Sequence, residues 1–129
     1  MKTLTIMGQH IADIPSFYAE INRVFMADMD WKLGHSLDGF NDMLYGGYGA
    51  IVGRVPIRIV WQDIEKSKTA LGLETTREYL QNKLLHPELF NLTLIQSQLS
   101  ELDRGVGKTY FEIILEIVAD HPNIELVQA

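Results

Sequence analysis

The chain has 129 residues, the size of one folding domain, and its 47% hydrophobic and 22% charged residues suit an ordinary packed core rather than a disordered segment. It has no cysteine, which excludes disulfides, thiol nucleophiles, thiolate zinc and iron–sulfur clusters. A net charge of −6 works against holding a phosphate backbone, so direct nucleic-acid binding is not expected and a cationic partner is favoured. The segment Met1 to Gly8 alternates polar and apolar residues and lacks the apolar core of a signal peptide. No apolar run approaches the ~18 residues that cross a bilayer, and the expectation is a soluble, cytoplasmic protein without membrane association.

Thr3 and Thr5 alternate with Leu4 and Ile6, a period of two that predicts a strand over 2–7, ended by Gly8. Asp13 before Ile14-Pro15 has the order of an N-cap, and Phe17, Ile21, Val24 and Phe25 recur at helical spacing to about Ala27. Ser36 caps a second, short helix with Leu37, Phe40 and Leu44 on its buried side, closed by Gly46-Gly47. Ile57-Arg58-Ile59-Val60-Trp61 reads as the second strand. Asp63 is the expected cap of a helix to about Ala70, and Thr75 or Thr76 that of another to about Leu85, stopped by His86-Pro87. Residues 88–104 mix both periods and predict only a packed, partly helical segment. A last helix is expected from Lys108 to Asp120 and a last strand from Ile124 to Gln128. Strands separated by helices need crossover connections, so the class is α/β with a three-stranded parallel sheet in a single domain.

Several chemistries find no support in the motifs. Gly105-Val106-Gly107-Lys108-Thr109 resembles the end of a phosphate-binding loop, but Leu102 occupies the position of its first glycine and no strand precedes it, leaving a glycine turn before the last helix. His10, His35, His86 and His121 lack the spacing of a metal site and are expected as loop or capping residues, so neither a metal nor a cofactor is expected. There is no nucleophile elbow. A carboxylate pair such as Asp42 and Glu116 leaves only a small hydrolase as a catalytic alternative.

Charge is concentrated in two windows. Residues 28–49 carry Asp28, Asp30, Asp38 and Asp42 against Lys32 alone, and 112–129 carry Glu112, Glu116, Asp120 and Glu125 with no cation. In the short helix Asp38, Asn41, Asp42 and Tyr45 share one polar stripe beside the apolar Leu37, Phe40 and Leu44. Asp38 and Asp42 repel at i, i+4, which a sequence shaped only for helix stability would avoid, although acids are also favoured at a helix N-terminus. The pattern alone fits both a presented site and an ordinary solvated face.

The stretch Leu33-Gly34-His35-Ser36-Leu37-Asp38-Gly39-Phe40-Asn41-Asp42-Met43-Leu44-Tyr45-Gly46 resembles the binding helix of the barstar family, intracellular inhibitors of microbial ribonucleases. Ile57 to Trp61 with Ile64-Glu65-Lys66-Ser67, and Tyr110 to Gln128, resemble further parts of it, which leaves 73–104 as an insertion relative to short members. The resemblance implies a three-stranded parallel sheet packed with helices, and a non-enzymatic inhibitor or immunity protein whose acidic helix and preceding loop plug a basic ribonuclease or nuclease-type toxin. It implies partner contacts by Trp31, Lys32, Leu33, Gly34, His35, Asp38, Asn41, Asp42, Tyr45 and Glu116, with Asp42 entering the cationic pocket in place of a substrate phosphate. Lys32, Leu33 and Asn41 stand where the family carries aromatic residues, so Trp31, Tyr45 and Tyr48 are the aromatic side chains left for contact. The alternative is a barstar-like interaction module whose 73–104 segment forms a homodimer or meets another partner.

Overall fold

A computed structural model describes residues 1–129. Along Lys2–Met7 (β1) Leu4 and Ile6 turn inward while Thr3 faces solvent, as the period of two requires. Ile57–Gln62 (β2) buries Ile57, Ile59 and Trp61, and Ile124–Gln128 (β3) completes the sheet. The order is β1-β2-β3 with both pairings parallel, Leu4 beside Ile59 and Ile59 beside Leu126. β2 is the central strand, which is why it is the richest in β-branched and aromatic residues. The expected α/β class with a three-stranded parallel sheet is the one observed.

Six α-helices fill the connections: Ile14–Phe25 (α1), Leu37–Leu44 (α2), Ile64–Ala70 (α3), Leu73–Lys83 (α4), Leu92–Asp103 (α5) and Tyr110–Ala119 (α6). α1 starts on a capping box, in which the Asp13 carboxylate accepts from the Ser16 amide and the Ser16 hydroxyl accepts from the Asp13 amide, both at 2.9 Å. Those hydrogen bonds hold the Asp13 carboxyl below its ordinary value. The same device starts α6, with Thr109 and Glu112 exchanging the two bonds.

Several helix starts, stops and caps differ from the sequence expectation. α1 ends at Phe25 rather than Ala27. Asp63 does precede α3, but its backbone is left-handed at φ 52° and its side chain makes no cap bond. α4 begins at Leu73 after Gly72 and ends at Lys83, so Thr75 and Thr76 lie inside it. Their hydroxyls donate backwards to the carbonyls of Ala70 and Gly72 instead of capping forwards, and Thr76 Oγ1 also accepts the Tyr110 amide. Residues 92–103 of the ambiguous segment form a full three-turn helix, α5.

The main core lies between the sheet and α1, α2, α3 and α6. Trp61, Phe17, Phe25, Phe40, Tyr18 and Tyr110 are each at most 2% exposed there. Trp61 stacks on Phe17 at 6.2 Å, meets Phe111 edge-on at 5.7 Å, and donates its indole N–H to Ser67 Oγ at 2.9 Å. Each such fully buried aromatic contributes about 2–3 kcal/mol of apolar transfer. α4 and α5 form a smaller core of their own around Leu80, Ile95 and Leu102.

Candidate functional site

α2 is a two-turn helix, too short to persist alone, and its position is set by what surrounds it. Ser36 Oγ accepts the Gly39 amide at 3.1 Å to start it. Phe40, Met43 and Leu44 anchor it in the core, with Leu37 half-buried, so Met43 joins the Leu37, Phe40 and Leu44 expected on the buried side. At its end Gly46 takes φ +83°, and a Cβ at Gly46 would overlap the backbone of Gly53, whose amide bonds the Gly46 carbonyl at 2.8 Å. The loop from Gly46 to Gly53 therefore closes on itself just past the end of the helix.

This frame leaves Asp38 and Asp42 exposed, and no Lys, Arg or His side chain pairs with either. Tyr48 lies close enough to Asp42 that the carboxylate adds to the effect of burial in raising the Tyr48 phenol above its ordinary value. Trp31 packs on Tyr48 with ring centroids 4.8 Å apart, so an aromatic pair stands beside the acid. Tyr45 is exposed and meets the ring of His121 edge-on at 4.6 Å.

The other expected residues are placed differently from one another. Asn41 is half-buried and its Oδ1 is 2.8 Å from Nε2 of His121, so this amide serves the inside of the molecule. Leu33 is a core residue, 7% exposed, and its backbone is clamped by Asn22, which accepts its amide at 2.7 Å and donates to its carbonyl at 3.2 Å. Both the side chain of Leu33 and its main-chain polar groups are therefore engaged within the chain. Lys32, Gly34 and His35 are exposed, with the His35 imidazole stacked on buried Tyr18 at 5.3 Å. Trp31, Lys32, Leu33 and His35 line one wall of an open cleft of about 690 Å³ against Asn22 and Arg23 of α1. Glu116 stands with Glu112 on the outward row of α6, and its carboxylate accepts from Lys108 Nζ at 2.6 Å. Both partners of that bridge are more than half exposed, which makes it a weak and exchangeable pair.

His121 was expected as a loop or capping residue, and it is buried at 4% exposure. Burial lowers its pKa and Arg54 adds to that, with Asp120 opposing. Arg54, Tyr45, Asp120 and His121 line a second cleft of about 470 Å³ at the far end of α2. No group of three or more His, Asp or Glu is gathered as metal ligands.

A family model described as Barstar (barnase inhibitor) matches residues 1–86, from β1 through α4. The chain belongs to the barstar family. No curated protein and no solved structure matches it. The matched segment of this barstar-family chain contains the 31–35 loop and α2, while Glu116, α5, α6 and β3 lie beyond it. No helix is long and apolar enough to cross a membrane.

Proposed function

We propose that this barstar-family chain is a non-enzymatic inhibitor or immunity protein that binds the active-site cleft of a basic ribonuclease or nuclease-type toxin in the cytoplasm. The observation that carries the reading is Asp42, exposed and without a counter-ion on a helix fixed at both ends. A nuclease site built from Arg, Lys and His to hold phosphate accepts such a carboxylate through charge-assisted hydrogen bonds without reorganising it. Asp38 contributes field one turn earlier, and the Trp31–Tyr48 pair and Tyr45 supply flat contact area where Lys32, Leu33 and Asn41 do not. Gly34, His35 and Glu116 are assigned to the binding surface by the family resemblance, and Glu116 would engage a cation of the partner by releasing Lys108. Residues 73–104 are in this reading an insertion that leaves the acidic helix uncovered.

The test is to mix the purified chain with a panel of basic microbial ribonucleases and measure residual RNA cleavage and complex formation. One-to-one inhibition that Asp42→Ala weakens by at least tenfold supports the reading. Complexes indifferent to Asp42→Ala, or none across the panel, count against it. The second reading, a self-associating module, draws on Leu85, Leu89 and Leu94, which are 72%, 70% and 55% exposed on the 73–104 segment. Sedimentation of the native chain against Leu85→Asp with Leu89→Asp separates them, because only the second reading expects a dimer that these changes dissociate.

A further inference from the structure

The α4–α5 segment reaches the loop that precedes α2 through four rings in sequence. Thr76 Oγ1 of α4 accepts the Tyr110 amide at 2.8 Å, and the Tyr79 ring stands edge-on to Tyr110 at 5.1 Å and 75°. The hydroxyls of Tyr110 and Tyr18 are 2.6 Å apart, and both residues are at most 1% exposed. The face of Tyr18 carries the His35 imidazole, nearly parallel at 9°. A buried hydroxyl pair fixes both rings, since either oxygen left alone would be an unsatisfied polar atom away from water. Tyr18 can therefore offer His35 a stationary platform only while Tyr110 is held, and Tyr110 is held by α4.

We propose that Tyr79 and Tyr110 are positioning residues for the 33–36 loop: α4 fixes Tyr110, Tyr110 fixes Tyr18, and Tyr18 fixes the His35 ring at the entrance to α2. Neither residue touches a partner. The segment 73–104 is on this account a buttress for the loop, and the ordering it imposes exists in the free chain. The inference thus goes beyond the inhibitor reading and stands or falls apart from it.

The test is nuclear magnetic resonance on the free protein. His35 ring protons over the face of Tyr18 are shifted upfield by its ring current, and amide exchange reports opening of residues 33–36. In Tyr110→Phe and in Tyr79→Leu, the His35 shift should move toward that of a free imidazole and exchange across 33–36 should quicken about tenfold. Val118→Ala, a truncation in the main core outside the ring series, should lower global stability and leave the His35 shift in place. Should Tyr79→Leu fail to fold, Tyr110→Phe, which removes one oxygen atom, decides alone. A native His35 shift in either folded variant, or an equal movement in Val118→Ala, overturns the proposal.

Discussion

Nε2 of His121 and Oδ1 of Asn41 meet at 2.8 Å across 80 residues of chain, and this one bond ties the turn between α6 and β3 to the acidic helix. An amide oxygen only accepts, so the bond assigns the proton to Nε2. Asn41, Tyr45, Arg54 and Asp120 surround the imidazole, and burial, aided by Arg54 and opposed by Asp120, lowers its pKa below the ordinary value.

The pH consequence has a definite sign. Below an unfolded value of 6.5 the unfolded chain binds a proton that the folded chain resists, so stability rises with pH there. The contribution of His121 is complete above that value and is lost as pH falls toward the lower folded pKa. Urea midpoints should decline as pH falls below 6.5, and His121→Ala should lack that part of the slope. Asn41→Ala removes the bond, leaves the His121 Nε2–H without its partner, and should cost about 1–2 kcal/mol.

Glu20 gives a second pH signature in a lower window. Its carboxylate, 1% exposed, accepts from the Met7 amide, from His10 Nδ1 and in fork geometry from Arg23. Burial alone would raise its pKa, but the bonds from Arg23, His10 and Met7 outweigh it and bring the group to about 2. Its stabilisation is full above the unfolded 4.5 and disappears as pH falls from there to about 2. A displacement of this size corresponds to about 3 kcal/mol. Glu20→Gln should cost about 2–3 kcal/mol at neutral pH and flatten acid unfolding between those two values.

Where local chemistry decided an element, the residues announced it. Ser36 and Gly46 bracket α2, Asp13 and Ser16 open α1, and the alternation along Ile57–Gln62 specifies a central strand. Residues 88–104 were opaque because their apolar residues part ways: Ile95 and Leu102 join Leu80 in a small separate core while Leu89 and Leu94 stay exposed, and the link to the main core runs through Tyr79 of α4, which packs against both. Thr76 gave a false start because its hydroxyl is committed to Tyr110, a partner 34 residues away. Asp38 and Asp42 could be found by spacing and resemblance, since exposure follows from helix phase. The engagement of Asn41 could not, because nothing near His121 in the chain signals a buried imidazole aimed at α2.

Gly46 tests whether the loop closure after the acidic helix is needed. Alanine there must adopt φ +83° and place a Cβ against the Gly53 amide and carbonyl, so both strain and overlap oppose it. Gly46→Ala should destabilise the protein by about 2 kcal/mol or more, whereas Gly47→Ala, with open space around it, should be nearly neutral. Thermal unfolding of the pair measures the contrast, and a near-neutral Gly46→Ala would mean that the loop re-closes without it.

Asp42 separates stability from recognition. Its carboxylate bonds nothing within the chain and repels Asp38 one turn away, so Asp42→Ala should leave stability within about 0.5 kcal/mol of the native chain. Asp38→Ala differs, since Asp38 lies in the first turn of α2 and favours the positive end of the helix, and it should cost a few tenths of a kcal/mol. Against a basic ribonuclease the order reverses: the loss on Asp42→Ala should exceed that on Asp38→Ala, and association should slow as salt rises past about 0.1 M. Stopped-flow association at several salt concentrations gives both quantities. Equal losses for the two aspartates would place the recognised charge elsewhere on this face.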